Sequence, residues 1–427
     1  MLLGAEFAPV FTHQIFSEEQ QHLDTNDDVD DDDTATKIDV HLKPSCKECF
    51  FVVQNRIDDD DGDDAVEQNA KRLKTTNDNE DSTDRQSTKT IKDAADLRSW
   101  MQRFLPPFVT ESAEKAESSC SNCDGEGYLT ELMGTVHHEY MQGDRTFCIS
   151  LCEGNKCAEY HDAVQKLAYY FIETAEDVNV GSEDAKWKCL YLFQQHTVDN
   201  GTTQQHRYSL AGYMTLYHFH SPFRKPKAGV IVRVCQVLIL PPYQRAGHGK
   251  ALLEAAFSIA AQQQQQEPTV VELNCEDPAP SFQQLRTLVD YNQFVRDGRQ
   301  WSFLAATTTT TPTDDAFFTP LRDAMAQQCT TVHTLTTAKQ IQLVHEIEVL
   351  RRLREFLSAT TATTASEQRD ALETKYRLMV KQRLHRQHQE ELGTYPTKEE
   401  RQRRLGELFD ESLHMYERIL RHHGHST

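Results

Sequence analysis

The sequence predicts a mixed α/β fold, followed by an all-α region at the C-terminus. Strand-like segments alternate with amphipathic helical segments between residues 145 and 296, and one of the strands is almost continuously apolar. Such alternation indicates a layered structure with a buried central strand. Beyond residue 336 the apolar residues recur at helical spacing instead.

Four parts are predicted along the 427-residue chain. They are an α/β N-terminal domain at 1–144, a core domain at 145–296, a Thr-rich linker with the start of a helical region at 297–335, and a helical domain at 336–427. Strand-like patterning occurs at 7–23 and 38–57 of the N-terminal domain. Residues 58–94 are rich in Asp, Asn, Thr and Ser and are predicted to be a disordered, acidic insertion.

The elements of the core domain follow from hydrophobic periodicity. Strands are predicted at Thr146 to Leu151, Trp187 to Gln194, Tyr208 to His220, Val230 to Leu240 and Val270 to Cys275. Helices are predicted at Tyr160 to Ala175 and Gly249 to Gln262, each with one apolar face. In the C-terminal region one apolar stripe runs from Ile341 to Leu357 and another from Leu405 to Leu420.

The charge balance excludes some classes of partner. The chain holds 45 Lys and Arg against 66 Asp and Glu, a net charge of −21, and two runs at 27–33 and 58–64 contain six Asp each. DNA binding without sequence preference needs clustered Lys and Arg, so it is disfavoured, as is sequence-specific binding. A basic polypeptide suits this charge better.

Cysteine usage and hydropathy indicate an intracellular protein. The 11 Cys residues have irregular spacing typical of reduced thiols. The longest apolar stretch, Val230 to Leu240, falls short of the ~20 residues of a membrane helix, and the N-terminus resembles no signal peptide. We expect the nucleus and cytoplasm. Lys71, Arg72 and Lys74 form either an import signal or an ordinary solvated loop.

A glycine loop follows the apolar strand that ends near Leu240. Strand, loop and helix N-terminus together offer free backbone N–H groups, which suit a phosphate. A nucleoside-triphosphate loop is excluded because Gln244 stands at its first glycine and Ala251 at its hydroxyl position. A dinucleotide fingerprint is excluded because Leu252 occupies its third glycine.

What remains, Gln244-x-x-Gly247-x-Gly249, resembles the diphosphate loop of the GNAT acetyltransferase superfamily. Further motifs sharpen the resemblance: Phe11-Thr-His-Gln-Ile-Phe16, Phe171-Ile-Glu-Thr-Ala175, Gly212-Tyr-Met-Thr-Leu-Tyr217, Gln236-Val-Leu-Ile-Leu-Pro-Pro-Tyr-Gln244 and Glu276-Asp-Pro278. In this order and spacing they resemble the catalytic subunits of type B histone acetyltransferases, over about residues 7–57 and 95–296. The fold implied is a GNAT core between an α/β and an all-α domain.

The resemblance implies a set of acetyl-CoA contacts. They are Val237, Leu238 and Ile239 on the strand and Gln244, Arg245, Ala246, Gly247, His248, Gly249 and Lys250 in the loop. The residue types agree with this assignment, since small residues let a diphosphate approach the backbone. Arg245 and Lys250 either contact phosphate or simply face solvent at a helix start.

The resemblance also implies a general base and two further carboxylates. A lysine with a pKa near 10.4 must lose a proton before it attacks a thioester. Glu276 matches the family's base, with Asp277 and Glu173 as matching auxiliary carboxylates. For Asp277, capping of the helix near Pro278 is an equal alternative.

Substrate and partners are implied in the same way. Contacts to the N-terminal tail of histone four map onto Glu18, Glu19, Gln20, Tyr217, His218 and Phe219. A WD-repeat histone chaperone subunit is the expected partner. A GNAT enzyme for another protein or amine, and a histone-binding chaperone component with weak catalysis, remain alternatives.

Metal and thiol chemistry are not expected. Cys46-x-x-Cys49 and Cys120-x-x-Cys123 have the spacing of zinc half-sites, but about 70 residues and the acidic insertion separate them. Cys275 is predicted to be a buried thiol beside the base, not a nucleophile.

Overall fold

The computed structural model describes residues 37–42, 44–46, 49–54, 123–124, 126–173, 175–182, 186–199, 204–223, 228–264, 267–275, 278–298, 311–313, 315–318, 335–359 and 365–424. The chain divides into two compact units. Unit 1 comprises residues 1–215 and 236–248, and unit 2 comprises residues 216–235 and 249–427. The predicted insertion at 58–94 and the strand-like segment at 7–23 lie outside the described residues.

Eight strands are described, in two sheets. They are β1 (Lys37–Leu42), β2 (Cys49–Gln54), β3 (Thr135–Gln142), β4 (Arg145–Glu153), β5 (Trp187–Asp199), β6 (Gln204–Ser221), β7 (Gly229–Ile239) and β8 (Val270–Cys275). β1 and β2 form an antiparallel pair, and the other six form one sheet in the order β3-β4-β5-β6-β7-β8. β3, β4 and β5 pair antiparallel, whereas β7 and β8 are parallel.

The described helices fall into two groups. α1 (Gly154–Val164), α2 (Ala168–Phe171), α3 (His248–Gln263) and α4 (Pro280–Arg296) are interleaved with the strands, and α5 (Ala338–Ala359), α6 (Ala365–Gln387), α7 (Gln389–Thr394) and α8 (Lys398–Gly424) follow them. Short 3-10 turns occur at Gln165–Leu167, Pro241–Tyr243 and Asp315–Phe318. None of the described helices combines the length and apolar character needed to cross a membrane.

These elements confirm the predicted mixed α/β class and the helical C-terminal region. The five strands expected between 145 and 296 are β4 to β8, with ends shifted by a few residues. β7 lies between β6 and β8 and buries Val230 to Val232, as its apolar run predicts. The domain boundaries at 144, 296 and 335 stay predictions.

Two predictions on local structure need correction. The helix expected at 160–175 begins at Gly154, because its buried face already includes Gly154 and Cys157, and the 3-10 turn at Gln165–Leu167 interrupts it. β3 was not predicted at all. At the edge of the sheet it exposes five of its eight side chains, so it lacks the apolar alternation that signals a strand.

The core of unit 2 joins α4 to the C-terminal helices. Tyr291 and Phe294 of α4 pack in one apolar cluster with side chains of α5, α6 and α8, among them Val344, Ile347, Tyr376 and Tyr416. A buried polar group crosses this cluster: Glu346 accepts from Arg383 at 2.8 Å and from the Tyr416 hydroxyl at 2.6 Å. This ion pair links three helices.

Candidate active site

The candidate site begins where β7 outruns its partner β8. The parallel pairing extends to Val234 opposite Cys275, at which β8 ends, whereas β7 continues to Ile239. Side chains alternate along this end of β7, with Leu238 buried and Val237 and Ile239 half-buried. Beyond Val234, the edge of β7 that faces β8 therefore has no β8 residue opposite it, in the segment to which the resemblance assigns acetyl-CoA contacts.

The loop itself has a backbone that suits an anion. Arg245 has φ 62° and Gly247 has φ 87°, both in the left-handed region, and α3 starts directly afterwards at His248. Among the described residues, no backbone carbonyl accepts a well-formed hydrogen bond from the amides of Arg245, Ala246, Gly247 or His248. A Cβ at Gly247 would meet no atom within 4 Å. Free amides, open space and a helix N-terminus fit a diphosphate.

Gln244 and Gly212 fix the strand end from two sides. The Gln244 side chain donates to the Ile239 carbonyl at 2.8 Å, although Gln244 is itself exposed. On β6, a Cβ at Gly212 would lie 2.5 Å from the Leu238 carbonyl oxygen, so only glycine allows this close approach. The Leu240 amide donates to Ala211 at 2.9 Å.

His248 occupies an unexpected place for a member of the loop. Its side chain is 2% exposed and lies among Tyr140, Phe147 and Tyr243. The Tyr140 hydroxyl lies 2.6 Å from His248 Nδ1, and burial lowers the pKa of His248. The imidazole is therefore neutral and structural, which leaves its backbone amide as the group available to a ligand.

The two basic residues of the loop differ. Arg245 is exposed, which leaves its side chain in solvent. Lys250, in the first turn of α3, lies 4.0 Å from Glu254 in a solvent-accessible pair. Such exposed pairs contribute ~0.3–0.5 kcal/mol on a helix, so Lys250 can exchange this partner for a phosphate at little cost.

The residues mapped to the histone tail are partly described. Tyr217, His218 and Phe219 lie at the end of β6 in unit 2, all half-buried, with the Tyr217 and Phe219 rings stacked 6.1 Å apart. Glu18, Glu19 and Gln20 lie outside the described residues.

Sequence reasoning missed a polar group beside these aromatic rings. The Arg233 guanidinium lies 4.8 Å from the centre of the Phe219 ring, and its Nε is 3.5 Å from the Asn274 side chain. Asn274 in turn donates to Glu272 at 3.0 Å. The sequence feature that could have revealed this group is Arg233 itself, a charged residue inside an otherwise apolar strand. Gln236, the other polar residue there, is buried and bonded to Glu176 and Tyr213, which is a structural role.

The proposed carboxylates are only partly described. Glu276 and Asp277 lie outside the described residues and follow β8 directly in the sequence. Upstream of them, buried groups hold β8: the Arg286 guanidinium donates to the Leu273 carbonyl at 3.0 Å and to Asp290 at 2.8 Å. Glu173 is exposed in the turn after α2.

The cysteine pairs show no metal-binding arrangement among the described residues. Cys46 and Cys49 are both fully buried, and burial raises the pKa of Cys46 to about 12. Cys123 lies 3.6 Å from the Ser45 hydroxyl, while Cys120 lies outside the described residues. Within the described ranges no three His, Cys, Asp or Glu side chains are grouped to hold a metal ion. Cys275, which was predicted to be a buried thiol, is only half-buried in β8.

The fold and the loop define a class of protein: a mixed α/β protein with a glycine loop between a parallel strand and a helix. We compared the chain with known proteins. No protein-family model matches the chain. A ribosomal-protein-alanine N-acetyltransferase from Brucella melitensis biovar Abortus 2308 is 15% identical, with 33% of this chain and 87% of that chain covered and a TM-score of 0.22.

Curated sequences give closer relatives. The chain is 33% identical over 174 residues to the histone acetyltransferase type B catalytic subunit of Mus musculus, which is 38% of each chain. It is 29% identical over 208 residues to the Homo sapiens protein of the same name, covering 46% of this chain and 45% of that one. The matched part spans less than half the length of these relatives. The resemblance to type B catalytic subunits is thereby confirmed.

Proposed function

We propose that the chain is a histone acetyltransferase that moves an acetyl group from acetyl-CoA to lysine side chains in the N-terminal tail of newly synthesised histone four. The observation that carries the proposal is the loop between β7 and α3, with its free amides, two left-handed residues and open space at Gly247. The names of the curated relatives support the choice of substrate.

The cofactor residues divide into backbone and side-chain contributors. Amides from Arg245 to His248 and the positive end of the α3 dipole would bind the diphosphate. The backbone of Val237, Leu238 and Ile239 would pair with the amide groups of the pantetheine arm. Lys250 and Arg245 would add charge from the solvent side. Acetyl-CoA is a co-substrate here, and the reaction as proposed uses no metal.

The chemistry requires one proton acceptor. At pH 7 the neutral form of a free lysine lies ~3.4 pH units, or roughly 4.6 kcal/mol, uphill. Glu276 would take this proton while the amine attacks the thioester carbonyl, and Asp277 and Glu173 would assist. The C–S bond then breaks, a second proton passes from the attacking nitrogen to the departing sulfur, CoA leaves as the thiol and the amide remains on the lysine. A backbone N–H at the end of β7 would stabilise the oxyanion.

The acceptor side combines aromatic and acidic groups. Tyr217, His218 and Phe219 would contact the aliphatic and cationic parts of the tail, and Glu18, Glu19 and Gln20 would pair with its basic residues. We extend the proposal to a WD-repeat histone chaperone as partner and to the nucleus and cytoplasm as location. The net charge of −21 suits a basic tail.

One experiment separates this function from its alternatives. The full chain is incubated with acetyl-CoA and histone four, and separately with a mixture of other basic proteins and polyamines, while released thiol is measured and products are identified by mass spectrometry. Acetyl-lysine on histone four alone supports the proposal. Acetylation of other acceptors only, or histone binding without thiol release, would replace it by one of the alternatives.

A further inference from the structure

The edge hairpin β3–β4 contacts the candidate diphosphate loop, although three strands separate β3 from β7 in the sheet order. The hairpin turns through Gly143 and Asp144, with φ 60° at Gly143. All contacts described here lie within unit 1. The loop is therefore held from a part of the chain about 100 residues earlier.

Two side chains on one face of β3 make these contacts. Tyr140 and Gln142 are two residues apart, so they point to the same side of the strand. The Gln142 amide donates to the Ala246 carbonyl, and the Tyr140 hydroxyl lies 2.6 Å from His248 Nδ1. Burial raises the pKa of Tyr140 and lowers that of His248, so this hydrogen bond joins a protonated phenol and a neutral imidazole.

Aromatic packing completes the support. Phe147 on β4 is the cross-strand partner of Tyr140, and its ring centre lies 4.3 Å from that of His248. Tyr243, just before the loop, closes the other side at 6.1 Å. His248 is thus enclosed by an aromatic box, which we define as Tyr140, Phe147 and Tyr243. The box fixes the first residue of α3, and Gln142 fixes the residue two positions before it.

We infer that the β3–β4 hairpin positions the diphosphate loop, and that Tyr140 and Gln142 are positioning residues for acetyl-CoA binding that touch neither cofactor nor acceptor. The inference rests on the proposed function. Gln142 holds the carbonyl of the peptide group between Ala246 and Gly247. The N–H of the same peptide group, at Gly247, therefore points in the opposite direction. Holding His248 fixes the backbone amide of the residue at which α3 begins. Both effects organise the loop before the ligand arrives, which reduces the ordering cost of binding.

The test compares two conservative variants with a matched control. Tyr140→Phe removes one hydroxyl and keeps the ring, and Gln142→Leu removes the donor at nearly constant volume. Met141→Gln changes the residue between them, which is 71% exposed on the opposite face. Affinity for acetyl-CoA is measured by calorimetry, and turnover with acetyl-CoA is compared with turnover with S-acetylpantetheine, which lacks the diphosphate.

Each conservative variant should weaken acetyl-CoA binding about five- to tenfold, the usual effect of one buried hydrogen bond. It should leave kcat at saturation unchanged, and the defect in kcat/KM should largely vanish with S-acetylpantetheine. Met141→Gln should match the wild type. In a cycle with His248→Phe, adding Tyr140→Phe should cause no further loss.

Other outcomes distinguish a failure of the positioning role from a failure of the proposed function. Wild-type protein that does not bind acetyl-CoA would refute the proposed function. Wild-type protein that binds, with Tyr140→Phe and Gln142→Leu binding equally well, would refute only the positioning role. Equal defects with acetyl-CoA and S-acetylpantetheine would also refute it, because they would indicate a general loss of structure.

Discussion

Gly247 offers the sharpest test of the diphosphate site, since strain, bulk and charge can be separated at this residue. Its φ of 87° costs any L-residue about 1–2 kcal/mol. A Cβ there meets no atom within 4 Å, so bulk alone causes no clash in the free protein. Gly247→Ala, Gly247→Gln and Gly247→Glu therefore share the same strain. Only the last variant adds a negative charge.

The charge effect can be estimated from the geometry. A carboxylate about 4 Å from a phosphate charge interacts with about 1 kcal/mol in bulk water and about 4 kcal/mol at an effective dielectric of 20. Gly247 is exposed, so the lower part of this range applies. A difference of about 1–2 kcal/mol corresponds to a roughly five- to thirtyfold weaker affinity for Gly247→Glu than for Gly247→Gln.

Calorimetric titration of acetyl-CoA into the three variants measures this difference directly. The gap between Glu and Gln should narrow as salt rises, because the Debye length falls to about 3 Å at 1 M. Thermal unfolding should show the same small loss in all three. Equal affinities of Gly247→Gln and Gly247→Glu at low salt, in folded proteins, would mean that the phosphates bind elsewhere.

Three further perturbations test the base, the strand end and the helical core. Glu276→Gln should lower turnover roughly 100-fold or more with unchanged acetyl-CoA affinity, and the loss should shrink at high pH, where more lysine is neutral; wild-type turnover near pH 7 would remove Glu276 from the mechanism. Gly212→Ala should cost about 1–3 kcal/mol of unfolding free energy, because its Cβ would lie 2.5 Å from the Leu238 carbonyl oxygen; an unchanged urea midpoint would contradict this. Arg383→Met should cost about 3–5 kcal/mol by leaving Glu346 buried without its cation. Burial raises the pKa of Glu346, so the folded state binds its proton more tightly, and the deficit should shrink as the pH falls toward 5.

Local pattern sufficed for the elements that bury a continuous apolar surface. β5 buries Leu190 to Phe193 completely, and α5 and α8 carry long apolar stripes. The apolar residues in these segments therefore predict both the element and its buried face. β3 is exposed to solvent over much of its surface, so its sequence lacks the apolar pattern that would predict a strand. Gly247 and Gly249 were recognised from sequence because glycine spacing reflects backbone conformation directly.

Contacts between distant segments left no local signal. His248 was assigned to the ligand loop by its neighbours in sequence, yet its side chain belongs to the aromatic box, whose Tyr140 and Phe147 lie about 100 residues away. Nothing within the loop indicates that partner. Arg233 did leave a trace, as a charge inside an apolar strand, but its partners Phe219 and Asn274 lie on other strands.

The backbone hydrogen bonds give a second, independent argument for the proposed diphosphate site. A buried polar backbone group without a partner is costly, so native chains satisfy nearly all of them. At β8 the Leu273 amide donates to Leu335 and its carbonyl accepts from Arg286, which closes the edge away from β7. At the end of β7 the Leu240 amide is also satisfied. Among the described residues, no backbone carbonyl accepts a well-formed hydrogen bond from the four amides from Arg245 to His248, and Gln142 and the aromatic box hold this segment in place. Donors that are held in place and are not used by the protein itself are what an anion requires, so these amides support the proposed diphosphate site independently of the glycine motif.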